Sequence, residues 1–354
     1  MNQSKLLDLP NELLIEIFQY FDVSQLYVSL YGLSIRLNNL VNKWHSKHLT
    51  FNTIETIDFV RQHTDLGQIR SLSISNSDQM VLLNELFNIP GFLRNCQALF
   101  IYDIIPLDFI DLVPRLTLFQ SLKSLSVIRN VEISYPEVYN NLFNMIICKR
   151  IPALKYLQLT VPCRVQFRPS RLSLSLPTPS NNLEQLILNP ATSAELSSLF
   201  GFLPSLNRVS ADSFYFGHLH DFPTKAKITH LKIRVSRSSD ATFDNLAVFL
   251  AETPQLKSFS LRAFNRHLAD GKKLEHIIQK NIPLLKKFQF EFLISEVIDI
   301  DKIMTTFRTN FWLNIKQWLV NYDYKVSGTK LPGFIQRHRV DKFFCIDICT
   351  IFLE

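Results

Sequence analysis

The sequence predicts an α/β chain in two parts, a short helical module over residues 1–50 and a body of strand–turn–helix units over residues 67–354. Three observations carry that expectation. Residues Leu9–Phe21 (LPNELLIEIFQYF) set apolar side chains at helical spacing behind a Leu-Pro opening. From Ile69 onward, a phrase with apolar residues at positions n, n+3 and n+5 recurs along the chain. Prolines stand two residues before several of its starts.

Pro10 suits the first turn of a helix, where its missing N–H would have had no partner. Leu13, Leu14, Ile17, Phe18 and Phe21 then share one face, with Asn11, Glu12, Glu16 and Gln19 on the other. Glu12 also favours the positive end of the helix dipole. Asp22-Val23-Ser24 breaks the pattern, and Ser24 is placed to cap a second segment. In that segment Leu26, Leu30, Leu33 and Leu37 recur at helical steps, and Leu40, Val41 and Trp44 form a third apolar group. Three short helices bury little surface, so a partner or a neighbouring domain is expected to hold them.

The string Leu9–Phe21 resembles the F-box, whose opening reads L-P-x-E-[LI]-[LI]-x-x-I-[FL]-x-[YF]-[LF]. Leu26 stands where the family has an acid followed by Leu, with Gln25 in place of the acid. The family's later Val-Cys/Ser-Lys/Arg-x-Trp stretch is replaced by LSIRLNNLVNKW, which keeps Trp44. This resemblance implies a three-helix docking module. Leu9, Pro10, Leu13, Leu14, Ile17, Phe18 and Leu26 would contact the Skp-type adaptor of a ubiquitin ligase and, through it, a cullin. The alternative is an N-terminal cap packed on the repeats.

After a connecting segment at 51–66, the phrase appears as Ile69/Leu72/Ile74, Cys96/Leu99/Ile101, Leu122/Leu125/Val127, Leu154/Leu157/Leu159 and Leu183/Leu186/Leu188. It continues as Leu206/Val209/Ala211, Ile228/Leu231/Ile233, Leu256/Phe259/Leu261, Leu285/Phe288/Phe290 and Ile315/Trp318/Val320. The step from Leu206 to Ile228 is 22 residues and that from Leu122 to Leu154 is 32. Pro152, Pro204, Pro254 and Pro283 each precede a start by two residues. Proline keeps the residue before it out of the helical region, so each ends a helix and leads into a strand. Helices are expected over Asp78–Ile89, Glu137–Arg150, Ala194–Leu203, Thr242–Glu252 and Lys272–Lys280.

These units resemble leucine-rich repeats, whose period is about 20–29 residues. That resemblance implies a solenoid with parallel strands on its concave face. The family's Asn or Cys three residues after the strand is met by Asn130, while Pro162, Ala191, Phe264 and Leu293 occupy the corresponding places. Phe311–Tyr324 and Val340–Ile351 are read as the cap, about 311–354, that covers the last apolar face. An ordinary α/β protein with coincidental phrases is the alternative.

Composition narrows the function. With 8 glycines in 354 residues and no G-x-G-x-x-G or Walker string, phosphate-loop chemistry is disfavoured. Five cysteines are scattered without a C-x-x-C pair, so no zinc or other cofactor is expected and a reducing compartment fits. Asp8, Glu12 and Glu16 interrupt any leader-like start, and no apolar run could span a bilayer, so no membrane partner is expected. A net charge of +7 leans on Lys257, Arg262, Arg266, Lys272, Lys273, Lys280, Lys286 and Lys287. An ordinary solvated face is preferred there over a nucleic-acid site, because no RNP-like aromatic motif accompanies the cations. His218-Leu219-His220-Asp221 is the most metal-like cluster, and a surface turn is preferred for it. No G-x-S-x-G or H-E-x-x-H string marks an active site.

The expectation is thus a non-enzymatic, cytoplasmic or nuclear substrate receptor of an SCF-type ubiquitin ligase. Its repeats would bind a protein substrate through outward strand positions. These are Lys155, Tyr156, Gln158, Lys257, Ser258 and Ser260 first, with Lys123, Ser126, Gln185, Lys232, Lys287 and Gln289 behind them. The rival is a repeat scaffold for protein interactions without a ligase.

Overall fold

A computed structural model describes residues 6–18, 20–21, 26, 29–45, 49–51, 69–74, 83–103, 106–128, 142, 151–160, 182–217, 226–236, 239, 241–264, 266–294, 300–316, 318–326 and 342–350. The chain divides into two compact units, residues 1–167 with 181–183, and residues 168–180 with 184–354. Ser24, Asn130, Pro162, the His218–Asp221 cluster and nearly all of the 137–150 helix lie outside the described residues.

The first unit opens with α1 (Asn11–Phe18) and α2 (Ile35–His45). The Pro10 carbonyl accepts the Leu14 N–H at 3.1 Å, so proline starts α1 as its ring geometry favours. Leu14 and Phe18, one turn apart, are buried, as are Leu26 and Leu37, Leu40 and Val41 of α2. The expected run from Leu26 through Leu37 is corrected, because the chain turns at residues 31–34. Gly32 adopts φ +88°, a conformation open to glycine at little cost. Ser34 then caps α2, its Oγ accepting the Leu37 N–H at 3.1 Å. Turn chemistry overrode the leucine spacing, and Leu33 is left exposed.

Strands β1 (Leu49–Phe51) and β2 (Ser71–Ile74) follow, then α3 (Pro90–Asn95), β3 (Ala98–Tyr102), α4 (Pro106–Arg115), β4 (Ser124–Ile128) and β5 (Tyr156–Thr160). The five strands pair in chain order, all parallel. Register explains the phrase. Leu72, Leu99, Leu125 and Leu157 lie opposite one another, as do Ile74, Ile101, Val127 and Leu159. Those residues and the starts Ile69, Cys96, Leu122 and Leu154 are all buried. At position n+1 one carbonyl serves two amides of the next unit. Gln97 O, for example, accepts Lys123 N–H at 2.7 Å and Ser124 N–H at 2.9 Å.

The second unit repeats this grammar. Its elements are β6 (Gln185–Asn189), β7 (Ala191–Thr192), α5 (Ser193–Phe202), β8 (Arg208–Tyr215), β9 (His230–Val235), α6 (Phe243–Ala251), β10 (Ser258–Ala263), α7 (Gly271–Asn281), β11 (Lys287–Ile294), α8 (Ile300–Thr306), β12 (Trp318–Val326) and β13 (Lys342–Thr350). Strands β6, β8, β9, β10 and β11 are parallel neighbours, with β7 a short addition on β8. Leu186, Val209, Leu231, Phe259 and Phe288 stand in one buried row. Helices α5, α6 and α7 fall where periodicity expected them, capped by Thr192, Thr242 and Asp270. The prolines work as read. In the turns at Pro204, Pro254 and Pro283 the start residue's N–H bonds back three residues: Leu206 to Leu203, Leu256 to Thr253 and Leu285 to Ile282, at 3.0, 3.1 and 3.1 Å.

The tenth phrase is a correction. Ile315 is 62% exposed, and β12 is neither parallel nor adjacent to β11. Strand β13 comes between them and is antiparallel to both. Strands β12 and β13 pair antiparallel along their whole length, and β13 covers the β11 edge. Phe311 and Trp312, rather than Ile315, turn inward. Phe288 stacks on Phe259 at 5.5 Å and lies 6.1 Å from Trp312 and 5.6 Å from Trp318. These aromatic residues pack together around Phe288 beside β11.

Gly271 pins that packing. Its N–H donates to Thr306 Oγ1 at 2.7 Å, and its carbonyl accepts Trp312 Nε1–H at 3.3 Å. A Cβ there would sit 2.6 Å from the Thr306 carbonyl oxygen and 2.7 Å from the Phe307 ring. Gly271→Ala is therefore expected to lower stability by about 1–3 kcal/mol in urea unfolding, despite alanine's better helix propensity.

Candidate functional site

Two kinds of surface stand out: the face of α1 in the first unit, and the outward strand positions of each unit taken by itself. The first is α1. Burial of Leu14 and Phe18 spends two of the five residues of the apolar stripe on folding. Leu13 and Phe21 remain 45% and 44% exposed, and Tyr20 87%. Of the residues assigned to adaptor contact, Leu14, Phe18 and Leu26 are buried, Leu9 and Ile17 are half-buried, and Leu13 and Pro10 are exposed. An unspent apolar face beside the turn at Tyr20–Phe21 is the kind of surface that binds another protein.

Arg36 holds this face in place. Its guanidinium donates to the carbonyls of Leu7 at 2.7 Å and Leu9 at 2.6 Å and to Asn11 Oδ1 at 2.8 Å. The planar fork fits three acceptors that a lysine could not reach together. The entry to α1, including the Leu9-Pro10 pair, is thus tied to the first turn of α2. Sequence reading gave Arg36 no role; its neighbour Ser34, a ready N-cap, was the available hint.

The second surface comprises outward strand positions. In the first unit, Tyr156 and Gln158 are half-buried on β5, and Lys155 is exposed before it. The Tyr156 hydroxyl donates to Gln158 Oε1 at 2.9 Å, and Ser126 Oγ donates to the same oxygen at 3.4 Å. Ser126, expected to be available, is covered by that contact and is 1% exposed. Burial pushes the Tyr156 phenol above its ordinary value, so it stays a neutral donor. Phe100 and Tyr102 share this face with Ser73, Ser124 and Ile128, giving an uncharged, serine- and aromatic-rich surface.

The second unit presents the opposite character. Register places Gln185, Arg208, His230, Ser258 and Lys287 in one row. The next row holds Ile187, Ser210, Lys232, Ser260 and Gln289. Lys257, expected as a contact, is exposed just before β10, while Ser258 and Ser260 are half-buried. Lys155, Tyr156 and Gln158 thus belong to one unit and Lys257, Ser258 and Ser260 to the other. Arg208 and His230 were missed, although their n+2 offset within the phrase would have found them. Asp212 lies 4.0 Å from Lys232, and Glu291 lies 2.9 Å from Arg262. His230 is held below its ordinary histidine value by burial first, then by Arg208 and Lys257.

A groove of about 810 Å³ runs between α6 and α7, bordered by Phe243, Asp244, Lys272, Lys273 and His276. Lys273 Nζ lies 5.3 Å over the Phe243 ring. No group of metal-binding residues occurs among the described residues, and none of their helices is long and apolar enough to cross a membrane. Cys96 is buried and pushed up to about 12 by that burial, so it is a neutral thiol and no nucleophile.

No family model and no curated protein matches this chain. Among solved structures, it is similar to a chain in the crystal structure of the Rad7 and Elc1 complex in yeast, at 13% identity and a TM-score of 0.40. That match covers 78% of this chain and 85% of the other. A Bacteroides fragilis protein matches at 14% identity and a TM-score of 0.39, over 72% of this chain and 74% of its own.

Two outcomes test these surfaces. Arg36→Ala removes three charge-assisted bonds at an exposed site and is expected to cost about 1–2 kcal/mol, with Arg36→Lys recovering less than half. Unfolding monitored through α1 checks it. Lys257→Ala should raise the His230 pKa in an NMR titration, because one of the two cations opposing its protonation is gone.

Proposed function

We propose that the chain is the substrate-recognition subunit of an SCF-type ubiquitin ligase. In this reading the N-terminal residues form an F-box-like module of three helices that docks on a Skp-type adaptor and so reaches a cullin. The parallel-strand repeats form a leucine-rich-repeat solenoid that holds a protein substrate. The observation that carries the reading is the outward apolar face of α1 behind Leu9-Pro10, within the string that resembles the F-box. Leu14 and Phe18 hold the module together, and Leu13, Ile17 and Phe21 are left to a partner. Such a subunit needs no catalytic group. It accelerates transfer by holding a target lysine near the charged conjugating enzyme, which replaces a bimolecular encounter with a local one. It would act in the cytoplasm, the nucleus or both.

Because Leu14 and Phe18 are core residues, a test must spare them. A pull-down with purified Skp-type adaptor should capture the wild-type chain and lose a Leu13→Asp/Ile17→Asp variant whose thermal unfolding is unchanged. Equal capture of both, or of neither, removes the ligase and leaves a repeat scaffold.

A further inference from the structure

We infer that the outward face of β8–β11 binds an acidic polypeptide segment, which names the substrate class for the receptor reading and rests on it. Four adjacent parallel strands bring Arg208, His230 and Lys287 into one row with Ser258. Lys257 stands immediately before that row and Lys232 in the one beyond. All five cationic or titratable side chains are exposed. Neighbouring strands lie about 4.8 Å apart, so the row from β8 to β11 spans about 14 Å. An extended segment rising about 3.3 Å per residue crosses it in roughly five residues.

Charge selects the occupant. The Arg208–Lys287 row contains no acid. The acids on β8–β11, Asp212 and Glu291, lie further along the strands, beside Lys232 and Arg262, and Glu184 stands before β6, outside the four strands. His230 is held below its ordinary value by burial first, with Arg208 and Lys257 adding to the effect from either side. A positive potential concentrated at one end of the strands favours carboxylates and steers them during encounter. Nucleic acid fits less well. The two rows carry no Phe, Tyr or Trp on which successive bases could stack. Interleaved Ser210, Ser258 and Ser260 supply neutral hydrogen bonds suited to a peptide main chain.

The test uses the full chain and a short fluorescent Glu/Asp-rich peptide in an anisotropy titration. Binding should be seen at low salt and weaken as salt is added. Arg208→Glu/Lys287→Glu should weaken it by about tenfold or more, and the milder Lys257→Ala/Lys287→Ala in the same direction. Lys272→Glu/Lys273→Glu, in the α6–α7 groove, should leave it unchanged. Unchanged binding in the strand-face variants, or an equal loss in the groove variant, overturns the inference. So does an unstructured oligonucleotide that binds tighter than the peptide through the same residues. Adaptor capture run on the same proteins keeps the two readings apart. Lost peptide with retained capture places the defect on the strands. Peptide binding by a wild-type chain that never captures adaptor overturns the receptor reading while leaving this one standing.

Discussion

Each repeating unit must hand its neighbour three apolar side chains at fixed register, and nearly everything else in the molecule follows from that exchange. A parallel strand has no tight turn to its partner, so each unit returns through a crossover and then re-enters the same register. Position n+3 meets n+3 of the next unit, as Leu231 meets Phe259, and n+5 meets n+5, as Ile233 meets Leu261. Burying one such side chain contributes about 1.5–3 kcal/mol. A polar residue at any of these places would leave a hole against two neighbours at once. The forked bond at n+1, where the Thr229 carbonyl serves Lys257 and Ser258 at 2.9 Å each, locks the same register through the backbone.

Outward positions escape this constraint, and there the two units diverge. The strands of the first unit show serine and aromatic residues tied by neutral hydrogen bonds, such as that from Tyr156 to Gln158. Those of the second show Arg208, Lys232 and Lys287. Identical inner grammar thus supports distinct outer chemistry in the two units. The α1 helix follows similar logic on a smaller scale: Leu14 and Phe18 fold the module, and Leu13 and Phe21 stay outside.

Much of this was legible from residues alone, because periodicity and proline act locally. The n, n+3, n+5 phrase located nine buried strand starts from Ile69 to Leu285, and helices α5, α6 and α7 came from their apolar spacing. What failed depended on partners far away in the chain. Ile315 fitted the phrase, but the hairpin of β12 and β13 and the inward turn of Phe311 and Trp312 are tertiary choices. Leu33 fitted a leucine ladder, but Gly32 and Ser34 made a turn. Ser126 was correctly placed on the outward face and wrongly taken as available, because Gln158 from the next strand covers it. Arg208 and His230 were findable from their n+2 offset, but only register showed that they share a row with Lys287.

Under the proposed function, the apolar helix face in one unit and the cationic strand face in the other would each take a partner, and one molecule would engage both at the same time. Size-exclusion chromatography of the full chain mixed with Skp-type adaptor and a fluorescent acidic peptide tests this most directly. The account predicts a single peak that carries all three components, losing adaptor alone in Leu13→Asp/Ile17→Asp and peptide alone in Arg208→Glu/Lys287→Glu. Peptide and adaptor that exclude one another, or a peak that lacks both, would contradict it.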